Sequence, residues 1–415
     1  MKKFKNILFI FVFLISNITI TSNLLLSSNI ESLKKTKEYI DTNKKTYLID
    51  TTMVKEYSVN KGSLISIKNA NGPLSIETWD KDIIKIETTV VIESDIESIK
   101  GVFRNIEKIL FKSDKEKIYI DTKKIYKPHS NLFQKVLSFF YDKLEKNEND
   151  NKIFYLNNNS KVNLKKLSYV ITLPKNNPLS IENSYYDVLL PDLSEYLSLH
   201  LFDANLKAGK IKNNAKIKIQ YGSGNICSVE NIKLSLFEAN LIIGRTNDLT
   251  VYSKYSKLDV QETRNTIIKS YSDTIIIRKS SNIEGKAQYS NFILNDFLNG
   301  NFNFFSCDFK IDSAVNILAK SKYSYFLIFN LKNSINFLSS FSDEINIGMV
   351  CKNFKEIDVK SQYSNLNASF EESSKYKIST NLHYCIFNYH NNSITHANNC
   401  SVIKLKMSSG NINLN

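Results

Sequence analysis

A period of 17 residues constrains this chain more than any other feature. Tyr221, Glu238, Tyr255, Ser272, Tyr289, Ser306 and Tyr323 follow one another in steps of 17. Upstream the frame continues to Asp203 and Tyr185, each a step of 18. Downstream it loosens through Ser342, Tyr363, Tyr384 and Ser409, in steps of 19, 21, 21 and 25. Self-similarity at so short a period belongs to stacked architectures, in which each unit buries its apolar face against its neighbours.

The residues after each anchor alternate as a strand does. Leu258 and Val260 follow Tyr255 at plus 3 and plus 5, as do Phe292 and Leu294 after Tyr289, and Phe326 and Ile328 after Tyr323. Period-2 alternation rich in Ile, Phe, Leu and Val describes a half-buried strand. In five of the rungs whose anchor is not Tyr, an aromatic stands one place earlier, at Phe202, Phe237, Tyr271, Phe305 and Phe341. The larger repeat is therefore 34 residues, a length that helix-pair repeats share. The short alternating segments and turn residues such as Tyr221–Asn225 (YGSGN) exclude helices, which need apolar spacings of 3 and 4 over ten or more residues. The reading is an all-β fold: a single-stranded parallel β-helix with rungs of about 17 residues and an N-terminal strand-and-helix cap. Rungs pair at about 4.8 Å, so thirteen anchors predict a rod of roughly 60 Å. Equivalent positions stack, which predicts ladders of the anchor tyrosines at 185, 221, 255, 289, 323, 363 and 384.

Residues 1–28 have the form of a secretory signal peptide. Lys2, Lys3 and Lys5 precede an apolar run of nine residues, Ile7–Ile15, and small polar residues follow. Nine apolar residues are too few to span a bilayer, and no later stretch is apolar for 18. No integral membrane span is expected once the signal is removed, and an uncleaved N-terminal anchor is the alternative. The expected location is the periplasm, the outer-membrane surface or the extracellular space.

The formal charge of +14 raises nucleic acid or an anionic surface as partners. Against nucleic acid, the lysines are dispersed along the chain. Arginine, the residue most used to read bases and phosphates, occurs only at 104, 245, 264 and 278. Weak attraction to anionic envelope polymers fits the same composition.

Residues 29–46 form a polar, Lys-rich lead-in, expected to be mobile. Residues 47–125 form a β-rich cap, with strands at Tyr57–Val59, Leu64–Ile67, Leu74–Ile76, Ile83–Ile92 and Ile118–Ile120. One helix is expected after Ser94-Asp95. Residues 126–160 form an insertion with an amphipathic helix over Leu132–Leu144 and a loop over Glu145–Asn159. Residues 161–415 form the solenoid. Its last strand, Met407–Leu414, is expected to be an uncapped end, which leaves end-to-end self-association open.

Ile67–Asp80 (IKNANGPLSIETWD) resembles an opening motif of the bacterial putative-adhesin family, in which an Asn-Gly turn and a strand lead to Trp and an acid. Tyr169–Pro174 and Leu179–Val188 resemble that family's passage into its coil. The resemblance covers most of residues 53–415. It implies an exported, right-handed β-solenoid with no enzyme activity, cofactor or catalytic residue. The Gly expected after the rung Tyr is usually Ser here, Gly222 excepted, which puts tight turns at those corners in question.

Nucleotide-binding glycine loops and the Gly-x-Ser-x-Gly elbow are absent from the sequence. His383, Cys385, His390, His396 and Cys400 fall within 18 residues and are zinc-type ligands, though their spacing fits no zinc module. His383 and Cys385, two apart on a strand, are expected to share a face. A Cys385–Cys400 disulfide is a second reading of the cluster, and ordinary strand and loop residues are the favoured one. The five cysteines form no disulfide scaffold, and burial as small hydrophobes is the default for most. Asp203 with Glu238, and Asp308 with Asp312, are the carboxylates weighed for a β-helix glycan enzyme, but neither set is specific and acids aligned on adjacent rungs are missing. The functional expectation is a non-catalytic envelope or surface protein whose long face binds another protein or a surface glycan. The rivals are a polysaccharide-active enzyme and a ligand-free structural or stress-related periplasmic protein.

Overall fold

The structure is a computed structural model and describes residues 31–41, 46–69, 72–94, 110–113, 116–122, 152–156, 160–389 and 400–415. The signal segment and both expected helices lie outside these residues. Every regular element among the described residues is a β-strand, and none is a helix able to cross a membrane. The chain divides into two compact units, residues 1–178 and 179–415.

The first unit holds β1 (Glu31–Asp41), β2 (Thr46–Ser58), β3 (Leu64–Asn69), β4 (Leu74–Trp79) and β5 (Ile83–Ser94). It continues with β6 (Leu110–Ser113), β7 (Lys117–Asp121), β8 (Lys152–Leu156) and β9 (Ser160–Pro174). β1, β2, β5 and β9 pair antiparallel in that order. β4 joins the far edge of β9 in parallel, and β3 and β6 flank β7. Two expectations change. The polar lead-in contains β1, paired to β2 over ten residue pairs, and the expected loop 145–159 contains β8, paired to β9. Both strands add to an existing edge, where backbone hydrogen bonds suffice and no alternating apolar pattern is required. In the motif at Ile67–Asp80, the Asn69 side-chain amide donates to the Gly72 carbonyl at 2.8 Å. The Trp79 indole N–H donates to the Ile83 carbonyl at 2.7 Å.

The second unit is a parallel β-solenoid. It opens with β10 (Leu179–Ser184), β11 (Val188–Leu190) and β12 (Leu197–Phe202). Seven strands of 15 residues follow: β13 (Leu206–Gln220), β14 (Ser223–Phe237), β15 (Asn240–Lys254), β16 (Lys257–Tyr271), β17 (Thr274–Gln288), β18 (Asn291–Phe305) and β19 (Asp308–Lys322). Each wraps most of one coil, and from β14 on two residues turn the corner to the next. β20 (Tyr325–Phe341), β21 (Glu344–Val350), β22 (Glu356–Gln362), β23 (Asn365–Phe370), β24 (Tyr376–Tyr389) and β25 (Ser401–Leu414) complete it. Neighbouring coils pair in parallel register, Leu258 against Ile275, then Phe292, Phe309 and Phe326.

Six inward positions per coil build the core. In β16 these are Leu258, Val260, Thr263, Thr266, Ile268 and Ser270. Around β18 the core becomes aromatic. Phe309 stacks on Phe292 at 4.6 Å, on Phe304 at 4.2 Å and on Phe326 at 5.3 Å. Stacked identical positions cannot all be large, so the coils on either side shrink. Phe302 pairs with Gly285 and Ala319, and Phe304 with Ala287 and Ser321. A Cβ on Gly285 would meet the Phe304 ring at 3.0 Å, closer than packed atoms tolerate.

The coils do not end in sequence order. β25 lies between β22 with β23 on one side and β24 on the other. Met407–Leu414 is therefore an interior strand, contrary to the expectation of an open end. Met407, Ile412 and Leu414 are buried. β24 takes the last place, and most of its residues from Ser379 onward are exposed.

Candidate functional site: an aromatic corner and the sheet beside it

All thirteen anchors, from Tyr185 to Ser409, have left-handed backbone, with φ between 47° and 68°. This conformation turns the chain from one coil to the next. The corners are tight where Ser or Glu stands as well as where Tyr does, so most need no glycine after the tyrosine; at Gly222 a Cβ would collide with the Ala204 carbonyl. The anchor itself takes the positive φ. The amide of each anchor from Tyr185 to Ser342 donates to the carbonyl just before the next anchor, as Tyr255 does to Tyr271 at 3.1 Å and Tyr289 to Phe305 at 3.0 Å, and Tyr363 donates to Ser408.

The corner side chains form one row in which anchor tyrosines alternate with the aromatics that precede the other anchors. From Tyr185 through Phe202 and Tyr221 to Phe341 and Tyr363, ten successive edge-to-face contacts join eleven rings. Centroids are 5.4–6.0 Å apart and the planes 73–89° to one another. The expected tyrosine ladder is thus a mixed one. The anchor tyrosines of this row are 43–62% exposed, and among the described residues their hydroxyls have no hydrogen-bond partner. Tyr384 lies outside the row, because the coil of Ser409, with Ser408 in the aromatic's place, separates it from Tyr363.

Under the ridge, the residue after each anchor from Asp203 onward is small or a hydrogen-bonding acid, and most of these residues are buried. Ser256, Asp273 and Ser290 form one chain: the Ser256 amide donates to Asp273 Oδ1 at 2.7 Å, and the Asp273 amide to Ser290 Oγ at 3.1 Å. Cys307, Ser324, Asp343 and Ser364 repeat the pattern. Burial pushes the Asp273 and Asp343 carboxyls above the usual carboxylate range, partly offset by serine hydroxyls and backbone amides that donate to them. Burial likewise raises the Cys307 thiol. Cys307 stands in a serine's place, its Sγ donating to the Phe305 carbonyl as Ser324 Oγ does to that of Lys322.

A second corner, built of asparagine, lies seven residues before the anchors from Ser272 to Tyr323 and nine before Ser342. Asn265, Asn282, Asn299, Asn316 and Asn333 each hand a side-chain N–H to the coil below, at 2.6–2.9 Å, the first of them to Asp248. A groove of about 550 Å³ runs beside this ladder, bounded by the outward residues Ile267, Glu284, Asn301 and Leu318. The strand between the two corners forms a flat outer sheet.

The His/Cys cluster is not assembled among the described residues. Tyr384, at φ 54°, turns the strand between His383 and Cys385. The two residues therefore do not share a face. His383 is exposed, and Cys385 takes the inward place after the anchor. Cys385 is a free thiol, so the Cys385–Cys400 disulfide is not formed. His390 and His396 lie outside the described residues. No group of three metal-ligating side chains occurs among the described ones. Asp203 and Glu238 are corner residues two coils apart. Three of the four arginines are spent on the opposite side of the coil in cross-rung ion pairs: Arg245 with Glu262 at 2.9 Å, Arg278 with Asp259 at 2.9 Å and Arg264 with Asp248 at 3.6 Å.

No family model matches this chain, and no curated protein matches it. It is similar to several solved structures. A putative cell adhesion protein from Clostridium sporogenes is 10% identical, over 92% of this chain and 99% of that one, with a TM-score of 0.18. A putative adhesin from Parabacteroides distasonis is 9% identical, over 88% and 97%, with a TM-score of 0.20. A putative lipid binding protein from the same organism is 12% identical, over 88% and 96%, with a TM-score of 0.20.

Proposed function

We propose that this chain is an exported, non-catalytic binding protein of adhesin type, which holds an elongated partner lengthwise along the aromatic corner. The observation that carries the reading is the row of eleven rings with its exposed tyrosines. Rigid aromatics with unpartnered hydroxyls supply contact area at low entropic cost, and a row of them suits a repeating ligand. The partner is another protein or a surface glycan. The ridge reading is tested by replacing Tyr255, Tyr289 and Tyr323 with Ala and screening a glycan array and cell-surface extracts. Retained binding by the folded triple variant would remove the ridge from the reading. Export is tested by protease treatment of intact cells carrying a C-terminal tag. Cleavage before lysis supports a surface role, whereas protection lost on lysis places the protein in the periplasm and sinks the adhesin reading.

A further inference from the structure

Each coil shows three outward positions on the sheet between the asparagine and aromatic corners, at five, three and one residues before the anchor. Lysine occupies these positions far more often than any acid. Lys216, Lys218, Lys233, Lys254, Lys269 and Lys286 lie on successive coils of the first half. Lys320, Lys322, Lys360, Lys404 and Lys406 continue the face toward the C-terminal end. Against these eleven lysines stand three acids, Glu182, Glu284 and Asp358, an excess of eight positive charges on one sheet of a chain whose total is +14. The lysines that are dispersed in sequence are gathered in space by the 17-residue period.

These charges are largely uncompensated. Among the described residues, only Lys360 and Lys404 of the eleven have a carboxylate within ion-pair distance. Lys233 and Lys269 instead flank the exposed Tyr252 ring, at 5.6 and 5.3 Å. Like charges stack directly, Lys216 beside Lys233, Lys269 beside Lys286 and Lys360 beside Lys406. Stacked cations at about 4.8 Å repel one another and raise the local potential. The outward residues of the other sheets carry acids and bases in near balance, with the arginines paired.

We infer that this lysine sheet, bordered by the tyrosine ridge, binds an extended anionic polysaccharide bearing carboxylate or sulfate groups. The inference rests on the reading of the ridge as a binding face and names its ligand class. Charge complementarity selects a polyanion. The flat sheet accepts a ribbon-like chain along many coils, and the tyrosine hydroxyls are free to meet sugar hydroxyls. The ridge rings already cover one another edge to face, which leaves no slots for stacked bases, and the cations are lysines rather than the arginines that read nucleic acid.

The test uses the full chain and fluorescent polygalacturonate, with a neutral glucan, single-stranded DNA and phosphatidylglycerol vesicles as competitors. One variant combines Lys254→Gln, Lys269→Gln, Lys286→Gln and Lys320→Gln. A control combines Lys207→Gln, Lys257→Gln, Lys310→Gln and Lys332→Gln, which removes the same charge from other faces. Denaturation confirms that both fold. The expected result is an affinity loss of about tenfold or more for the first variant, with a salt slope shallower by about three, and little change for the control. Equal losses in both variants would reduce the effect to net charge and overturn the assignment. Tighter binding of single-stranded DNA or vesicles at matched charge would also overturn it. Neutral glucan binding that needs the ridge tyrosines, without polygalacturonate binding, would overturn the lysine sheet and leave the ridge reading standing. Binding of none of the four probes would overturn the lysine sheet and leave the ridge to the test of its own triple variant.

Discussion

A side chain held at positive φ costs roughly 1–2 kcal/mol when it is not glycine, yet thirteen successive corners use Tyr, Ser, Asp or Glu there. At Tyr221, Tyr255, Tyr289 and Tyr323, two edge-to-face contacts of about 0.5–1.5 kcal/mol each offset that strain. Tyr289→Ala keeps the strain and loses the contacts to Tyr271 and Phe305, so denaturant titration should show it less stable by about 2 kcal/mol. Tyr289→Gly should recover about 1 kcal/mol of that loss. Ser272 makes no such contact, and Ser272→Gly should stabilise the protein by about 0.5–1 kcal/mol. The buried acids add a pH signature. Because Asp273 and Asp343 titrate above their ordinary value, the folded state keeps its protons to higher pH than the unfolded chain. Their contribution is therefore fully present below the unfolded carboxylate pKa, near 4, and is lost as pH rises through the folded values. Across that window the stability of wild type should fall relative to Asp343→Ser, read from denaturant midpoints at each pH. A constant difference would remove the linkage. The anchor positions were legible in sequence because Tyr and Ser recur there. Their backbone state was not, since neither residue favours the left-handed region.

At the scale of the element, the 15-residue strand follows from alternation plus punctuation, and its apolar positions after each anchor were readable directly. The asparagine corner was equally periodic, at 265, 282, 299, 316 and 333, but its polar residues leave no mark on the apolar alternation that defines the core. Its worth lies in chaining. Asn299 donates to Asn282 at 2.9 Å and accepts from Asn316 at 2.8 Å. Asn299→Ala frees one acceptor and one donor at a solvent-exposed position and should cost about 0.5–1.5 kcal/mol. Asn299→Asp keeps the acceptor and loses only the donor, so it should cost less. Equal stability of both variants and wild type would show that water replaces the ladder. β1 and β8 were hidden in sequence because an edge strand can be held by backbone bonds alone.

At the scale of the molecule, two features lay beyond the sequence. The insertion of β25 beneath β24 reverses the last two coils, and a lengthened step, 25 residues before Ser409, is its only trace. The lysine sheet needs the register of every coil before its charges come together. That sheet has a consequence for stability that requires no ligand. Repulsion among unpaired stacked lysines opposes the compact state, and it is screened over about 10 Å at 0.1 M salt and about 3 Å at 1 M. Raising sodium chloride from 0.02 to 0.5 M should therefore raise the thermal midpoint, in contrast to a fold dominated by surface ion pairs, which salt weakens. The variant with four lysines of this sheet replaced by glutamine should start higher at low salt and respond less. The control variant, which loses lysines from balanced faces, should keep the wild-type response. A polyanion should mimic salt at far lower concentration, because binding to the folded state alone adds stability that grows with ligand concentration. If salt lowers the midpoint instead, the lysines are held apart well enough that their repulsion is negligible, and the sheet's charge has no part in the energetics of the fold.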